Sequence, residues 1–164
     1  RDRSVSRGLG DVYKRQKECM TKEYKNYQQQ VLKNAKALAN GCLNQGLSLV
    51  SGGTDTHLAL VKVTDFVGSG REAELLLESV GIITNKNLIP FDPLSSNLTS
   101  GIRIGSPLMT TRGAKEQEME YIGNLIGRTL KNKNNQEELE KIKREVAAIT
   151  AKYPMFAKEW NVAE

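Results

Sequence analysis

The chain has 164 residues, of which 38% are hydrophobic and 26% charged, with a formal net charge of +5; this is the length and make-up of one soluble domain with a modest core. No apolar run approaches the ~18–20 residues of a membrane-spanning helix, so none is expected. The two cysteines, Cys19 and Cys42, form no CxxC pair, and nothing resembles a secretory signal, so free thiols in a reducing cytoplasm are expected.

The positive charge would suggest a nucleic-acid partner if it were spread over the domain, but most of it is not. Residues 1–16 hold Arg1, Arg3, Arg7, Lys14 and Arg15 against Asp2 and Asp11, which places +3 of the +5 in that head. The head has no apolar periodicity and joins the patterned sequence abruptly at Lys17. It is expected to be a non-native, adapter-derived, disordered segment and is set aside from the fold.

From Glu18 onward, helical and extended patterns alternate. Tyr24, Tyr27, Val31, Ala35, Leu38 and Cys42 recur every three or four residues, which predicts one buried stripe of a long helix over 17–46, ended by Gly46. Residues 47–164 then read as a small α/β domain. "LSLVSGG" and "HLALVKV" predict a hairpin through Gly52, Gly53, Thr54 and Asp55. Ser69 followed by Glu72 has capping-box spacing, and Ala73, Leu76, Leu77 and Val80 form the buried face of the helix it starts, closed by Gly81. "IITNKNLIPFDP" reads as an extended segment entering a loop broken by Pro90 and Pro93. "GIRIGSP" is a further short strand. Met119, Ile122, Ile126 and Leu130 stripe one terminal helix; Leu139, Ile142, Val146, Ile149 and Tyr153 stripe another, with "NKNN" as the turn between them. The sum is a small, mostly antiparallel sheet covered by helices and preceded by a long linking helix.

Arg103 stands out within this pattern. It lies between Ile102 and Ile104 in a strand fenced by Gly101 and Gly105, so it faces away from the isoleucines. It is either a solvated edge charge or an anion contact. His57, the single histidine, has no cysteine or carboxylate cluster at metal-ligand spacing, and its Gly-Gly pair lacks the lysine and helix of a phosphate loop; it is read as structural, and no metal site is expected.

Five segments in order, "YQQQVLKNAKALA", "SGGTDTHLALV", "TNKNLIPFDP", "TSGIRIGSP" and "TTRGAKEQEMEYIGNLI", resemble the C-terminal part of serine hydroxymethyltransferase, also called glycine hydroxymethyltransferase. The resemblance runs from about Lys17 to the end. It implies the small C-terminal domain of an aminotransferase-like, fold type I pyridoxal 5'-phosphate enzyme, cytoplasmic and homodimeric, with no nucleic-acid or membrane partner. Such an enzyme interconverts serine and glycine and passes a one-carbon unit to tetrahydrofolate. In the family a guanidinium holds the amino-acid carboxylate, and that arginine falls on Arg103. Two parallel donors and a permanent charge suit a carboxylate better than an ammonium does. The flanking glycines are expected to let the backbone bend so that the side chain enters the site. The resemblance further implies pterin contacts at Asn87 and at the turn Ser95, Ser96 and Asn97, where many relatives have a proline and an aromatic in place of Ser96 and Asn97. Read from the residues alone, Asn85, Asn87 and Asp92 cap and shape a proline-rich turn. Arg112 is a reserve candidate for positive potential near the site.

Nothing in the chain matches the family's cofactor-lysine motif, T-T-H-K-S-L-R-G-P-R, and Lys86 lies in a different motif. The resemblance therefore implies that this chain alone has no catalytic residue and is inactive. Two other readings stay open: the C-terminal domain of another fold type I enzyme, an aminotransferase or acyltransferase, which would have no need of the folate loop, and a noncatalytic module binding nucleic acid through its basic head.

Overall fold

The computed structural model describes residues 12–155. In chain order the elements are α1 (Lys22–Asn44), β1 (Ser48–Leu49), β2 (Leu58–Lys62), α2 (Gly70–Ser79), β3 (Asn85–Asn87), β4 (Gly101–Gly105), α3 (Pro107–Thr111), α4 (Glu116–Lys131) and α5 (Gln136–Lys152). A short helical stretch over 12–19 precedes α1. Residues 12–16, expected to belong to a disordered head, are therefore helical; the stretch contains no glycine or proline to oppose helix formation. The rest of that head, 1–11, lies outside the described residues.

Local chemistry sets the helix limits. The Thr21 hydroxyl donates back to the Glu18 carbonyl at 2.7 Å and accepts from the Tyr24 N–H at 3.2 Å, so it ends one helix and caps the next. Gly46, at φ 75°, turns the chain out of α1. Ser69 caps α2 by accepting from the Glu72 N–H, but Glu72 reaches back to the N–H of Gly68 rather than that of Ser69, so the expected box is displaced by one residue. The five-residue α3 was not foreseen. Its proline at the first turn, where an N–H has no helical partner in any case, was the available signal.

The four strands form one antiparallel sheet in the order β1-β2-β4-β3. Its two faces differ. Leu49, Ala59, Val61, Ile102 and Ile104 are buried and join Leu38, Cys42, Leu77, Met119, Ile126 and Leu130 in the main core beneath the helices. A satellite core of Val80, Leu125, Leu139 and Ile142 seats α5. The other face, with Ser48, Leu58, Leu60, Lys62, Asn85, Asn87, Arg103 and Gly105, carries only half-buried or exposed residues, apart from buried Gly101. This is a two-layer α/β arrangement with one sheet face left open.

The helical layer depends on α1 and α4 crossing backbone to backbone. A Cβ on Gly41 would lie 2.1 Å from the Glu120 carbonyl oxygen, and one on Gly123 would lie 2.3 Å from that of Leu38. Beside the crossing, Asn34 is completely buried and donates to the Thr110 hydroxyl at 2.8 Å and the Ala114 carbonyl at 2.9 Å, while its own oxygen accepts from Gln30 at 2.9 Å. Every buried polar atom of that amide is thereby paired with a partner, which fixes α1 against the segment following β4. Gly123→Ala forces the helices apart; even with the better helix propensity of alanine, overpacking of this kind costs about 1–3 kcal/mol. Urea unfolding should show that loss, and an unchanged midpoint would contradict the crossing.

Candidate functional site

Arg103 is placed by strand geometry. On β4 the pattern of burial alternates, with Ile102 and Ile104 buried and Arg103 exposed. Arg103 pairs across the sheet with Leu60 of β2 and Asn85 of β3, so all three share the open face. Asn87 pairs with Gly101 on that face, which makes it a diagonal neighbour of Arg103, about 7–8 Å away by strand geometry. Among the described residues the Arg103 guanidinium enters no hydrogen bond or ion pair. The glycines at either end act differently from expectation. Neither Gly101 nor Gly105 has a positive φ, and both stay in register with β2. Gly101 is required by space instead: a Cβ there would meet Ile89 at 2.8 Å and the Val61 carbonyl at 3.0 Å.

The residues around Arg103 come from β3 and the loop that leaves it. The Asn87 amide donates to the Leu88 carbonyl at 2.7 Å, which orients the group while leaving its oxygen and a second N–H for a ligand. At the turn, the Ser95 carbonyl accepts from the Leu98 and Thr99 N–H groups at 3.0 and 2.9 Å, and Ser95, Ser96 and Asn97 are all exposed. The loop's end is tied to α2: Gly70 and Arg71 donate to the carbonyls of Thr99 and Leu98. These two bonds satisfy N–H groups that the start of a helix leaves without helical partners.

Asp92 sits in the middle of the loop and accepts from Ile89, Leu94 and Ser100. Burial alone would raise its pKa. The hydrogen bonds from the Ser100 hydroxyl and the three backbone N–H groups outweigh that, and hold it down to about 2. Sequence reasoning named Asp92 only as one of several turn-shaping residues; the structure gives it a larger share of the loop's hydrogen bonding than any other side chain there.

Several other cations are committed elsewhere. Arg112 donates through Nε to the Tyr153 carbonyl and through Nη2 to the Thr150 carbonyl at 3.1 Å, so the reserve candidate holds the C-terminal end of α5. Arg128 joins α4 to α5 through Glu138 and Glu145. Lys86 alternates to the helix side of β3, where its backbone N–H is covered by Glu74 at 3.3 Å. Lys62 is on the open face but pairs with Asp65 at 2.8 Å. His57 is exposed and contributes its carbonyl, which accepts from the Ser106 N–H at 3.0 Å. Cys19 and Cys42 are both free, and burial pushes the Cys42 thiol up to about 12. A groove of about 450 Å³ between α1 and the hairpin loop is lined by Lys36, Asn40, Ser51, Thr54 and Asp55, and Arg103 takes no part in it. No helix among the described residues is long and apolar enough to cross a membrane.

The arrangement can hold an anionic group at Arg103 while a flat, mixed donor-acceptor edge meets Asn87 beside it. In comparison with known proteins, the family model described as serine hydroxymethyltransferase matches residues 11–126, more than two thirds of the chain. The match begins within the basic head and covers the open face and its loop. It stops inside α4.

The charge clamps give a measurable pH dependence. The Tyr153 hydroxyl and then Lys152 hold Glu118 at about 2, Arg128 lowers Glu145, and Asp92 is depressed as described. A carboxylate whose folded pKa lies below its unfolded value of roughly 4 stabilises the fold fully above that value and loses the contribution as pH falls through the folded one. The urea midpoint should therefore decline between about pH 4.5 and 2, with a flatter profile in Glu118→Gln. A flat wild-type profile would contradict the clamps.

Proposed function

Since the chain belongs to the serine hydroxymethyltransferase family, we propose that it is the C-terminal part of a pyridoxal 5'-phosphate enzyme that interconverts serine and glycine and transfers a one-carbon unit to tetrahydrofolate. In this reading the foreign head stops short of residue 11, where the family match begins, 17–46 link to a preceding large domain, and 47–164 are the small domain. The full-length enzyme is a cytoplasmic homodimer with no nucleic-acid or membrane partner. The observation that carries the reading is the unpaired guanidinium of Arg103 on the open sheet face, one strand away from Asn87.

Arg103 binds the α-carboxylate of serine or glycine through two parallel donors and so fixes the orientation of the amino acid. Asn87 meets the pterin edge of the folate, with the turn Ser95, Ser96 and Asn97 beside it. The small hydroxyl and amide groups at Ser96 and Asn97 offer hydrogen bonds where many relatives offer a ring. Pyridoxal 5'-phosphate, when bound to the complete enzyme, supplies the electron sink for bond cleavage at the amino acid's α-carbon. Of the two lysines nearest Arg103 on the sheet, neither suits an attachment for it: Lys86 alternates to the helix side of β3 and Lys62 is paired with Asp65. With no match in this sequence to the family's cofactor-lysine motif, the chain alone is proposed to be inactive, its residues serving the substrates.

An aminotransferase or acyltransferase of the same fold would share the carboxylate arginine but make no use of Asn87. In a full-length family enzyme ending in this chain, Asn87→Ala should raise KM for tetrahydrofolate about tenfold or more while serine binding stays near wild type. Equal folate KM in both proteins would remove the folate reading. The isolated chain should give no Schiff-base absorbance with pyridoxal phosphate and no serine cleavage; either signal above a boiled control would overturn its proposed inactivity.

A further inference from the structure

Four hydrogen bonds converge on the Asp92 carboxylate. Oδ2 accepts from the N–H groups of Ile89 at 3.1 Å and Ser100 at 2.8 Å; Oδ1 accepts from the Leu94 N–H at 2.9 Å and the Ser100 hydroxyl at 2.6 Å. An ionised carboxylate offers about four lone-pair positions, so this one is saturated from within the chain. Its donors bracket the loop. Ile89 precedes the proline turn, Leu94 follows it, and Ser100 adjoins the first residue of β4.

Apolar burial does little to hold this segment. Leu88 and Leu98 are each 44% exposed, and Phe91 projects wholly into solvent at a φ of 56°. A phenylalanine in the left-handed region with no covering neighbour is a conformation that its surroundings must impose. Thr99, at φ 57°, is a second left-handed residue, but a buried one, and its hydroxyl donates to the Gly101 carbonyl at 3.2 Å. The side-chain bonds on either side of Phe91 meet at Asp92, while Thr99 is held by its N–H to the Ser95 carbonyl and by the Gly70 N–H on its own carbonyl.

Resting on the reading of Asn87 and Ser95–Asn97 as folate contacts and Arg103 as the carboxylate anchor, we infer that Asp92 is a positioning residue that makes the loop from Leu88 to Ser100 a rigid extension of β4. The loop and the arginine then hold one fixed geometry before either substrate arrives, so binding does not have to spend free energy ordering them. Ser100 is the hinge point of that union, because it gives the carboxylate both its N–H and its hydroxyl next to the strand.

The test uses the isotopically labelled full chain as wild type, Asp92→Asn and Ser100→Ala. In Asp92→Asn, amide hydrogen exchange at Ile89, Leu94 and Ser100 should accelerate about tenfold or more while Val61 and Ile102 keep their wild-type rates. Residual dipolar couplings of the loop should fit the sheet's orientation in the wild type and fail to fit it in Asp92→Asn. Ser100→Ala, which removes one of the four bonds, should keep the fit with a smaller acceleration. Loop exchange within about twofold of wild type in Asp92→Asn, equal acceleration of loop and core, or loop couplings that still fit the sheet would each overturn the inference. No ligand enters this experiment, so its failure counts against Asp92 alone, whereas failure of the Asn87→Ala test counts against the site reading.

Discussion

The two-residue period of one strand governs this molecule. Ile102 and Ile104 are buried under helices, so the residue between them must face the other way, and that residue is Arg103. A slip of one position would drive the guanidinium into the core and lift both isoleucines into solvent. Pairing with β2 along the whole of β4 and with β3 over three residues prevents the slip. Close packing of Ile89 over Gly101 reinforces the register from outside the ladder. The position of the charge is therefore a consequence of core packing on the opposite side of the sheet.

The two layers divide the work. The helical side supplies stability through the glycine crossing of α1 and α4, the saturated amide of Asn34 and the two apolar clusters. The clamps of Arg112, Arg128 and Glu118 secure α5 against that layer. The open side keeps Arg103 without a partner among the described residues. In the proposed reading this free cation beside an oriented amide, on a sheet face with no covering layer among the described residues, meets the substrate's carboxylate.

Much of the architecture was legible because it follows from periodicity. The long helix, the hairpin, α2, the strand carrying Arg103 and the two terminal helices all show stripes or alternation that burial explains. The outward direction of Arg103 was readable for the same reason. What escaped lay where a single contact decides. Asn34 falls beside the apolar stripe of α1, and only the approach of Thr110 and Ala114, some eighty positions on, gives its amide a reason to be buried. The glycines around Arg103 suggested a bend, yet Gly101 is there because Ile89 leaves no room for a side chain. Arg112 read as spare positive charge, and the helix end it holds arrives from forty residues downstream. The helicity of 12–16 went unseen because a helix without an apolar stripe leaves no periodic trace.

The account rests on the guanidinium of Arg103 meeting a carboxylate, and serine affinity reads that contact directly. In a full-length family enzyme ending in this chain, Arg103→Ala should weaken serine binding more than about a hundredfold, matching on the order of 3–5 kcal/mol for a desolvated charge pair, and lysine should not restore it because it lacks the paired donors. A serine dissociation constant within about twofold of wild type for Arg103→Ala would contradict the account.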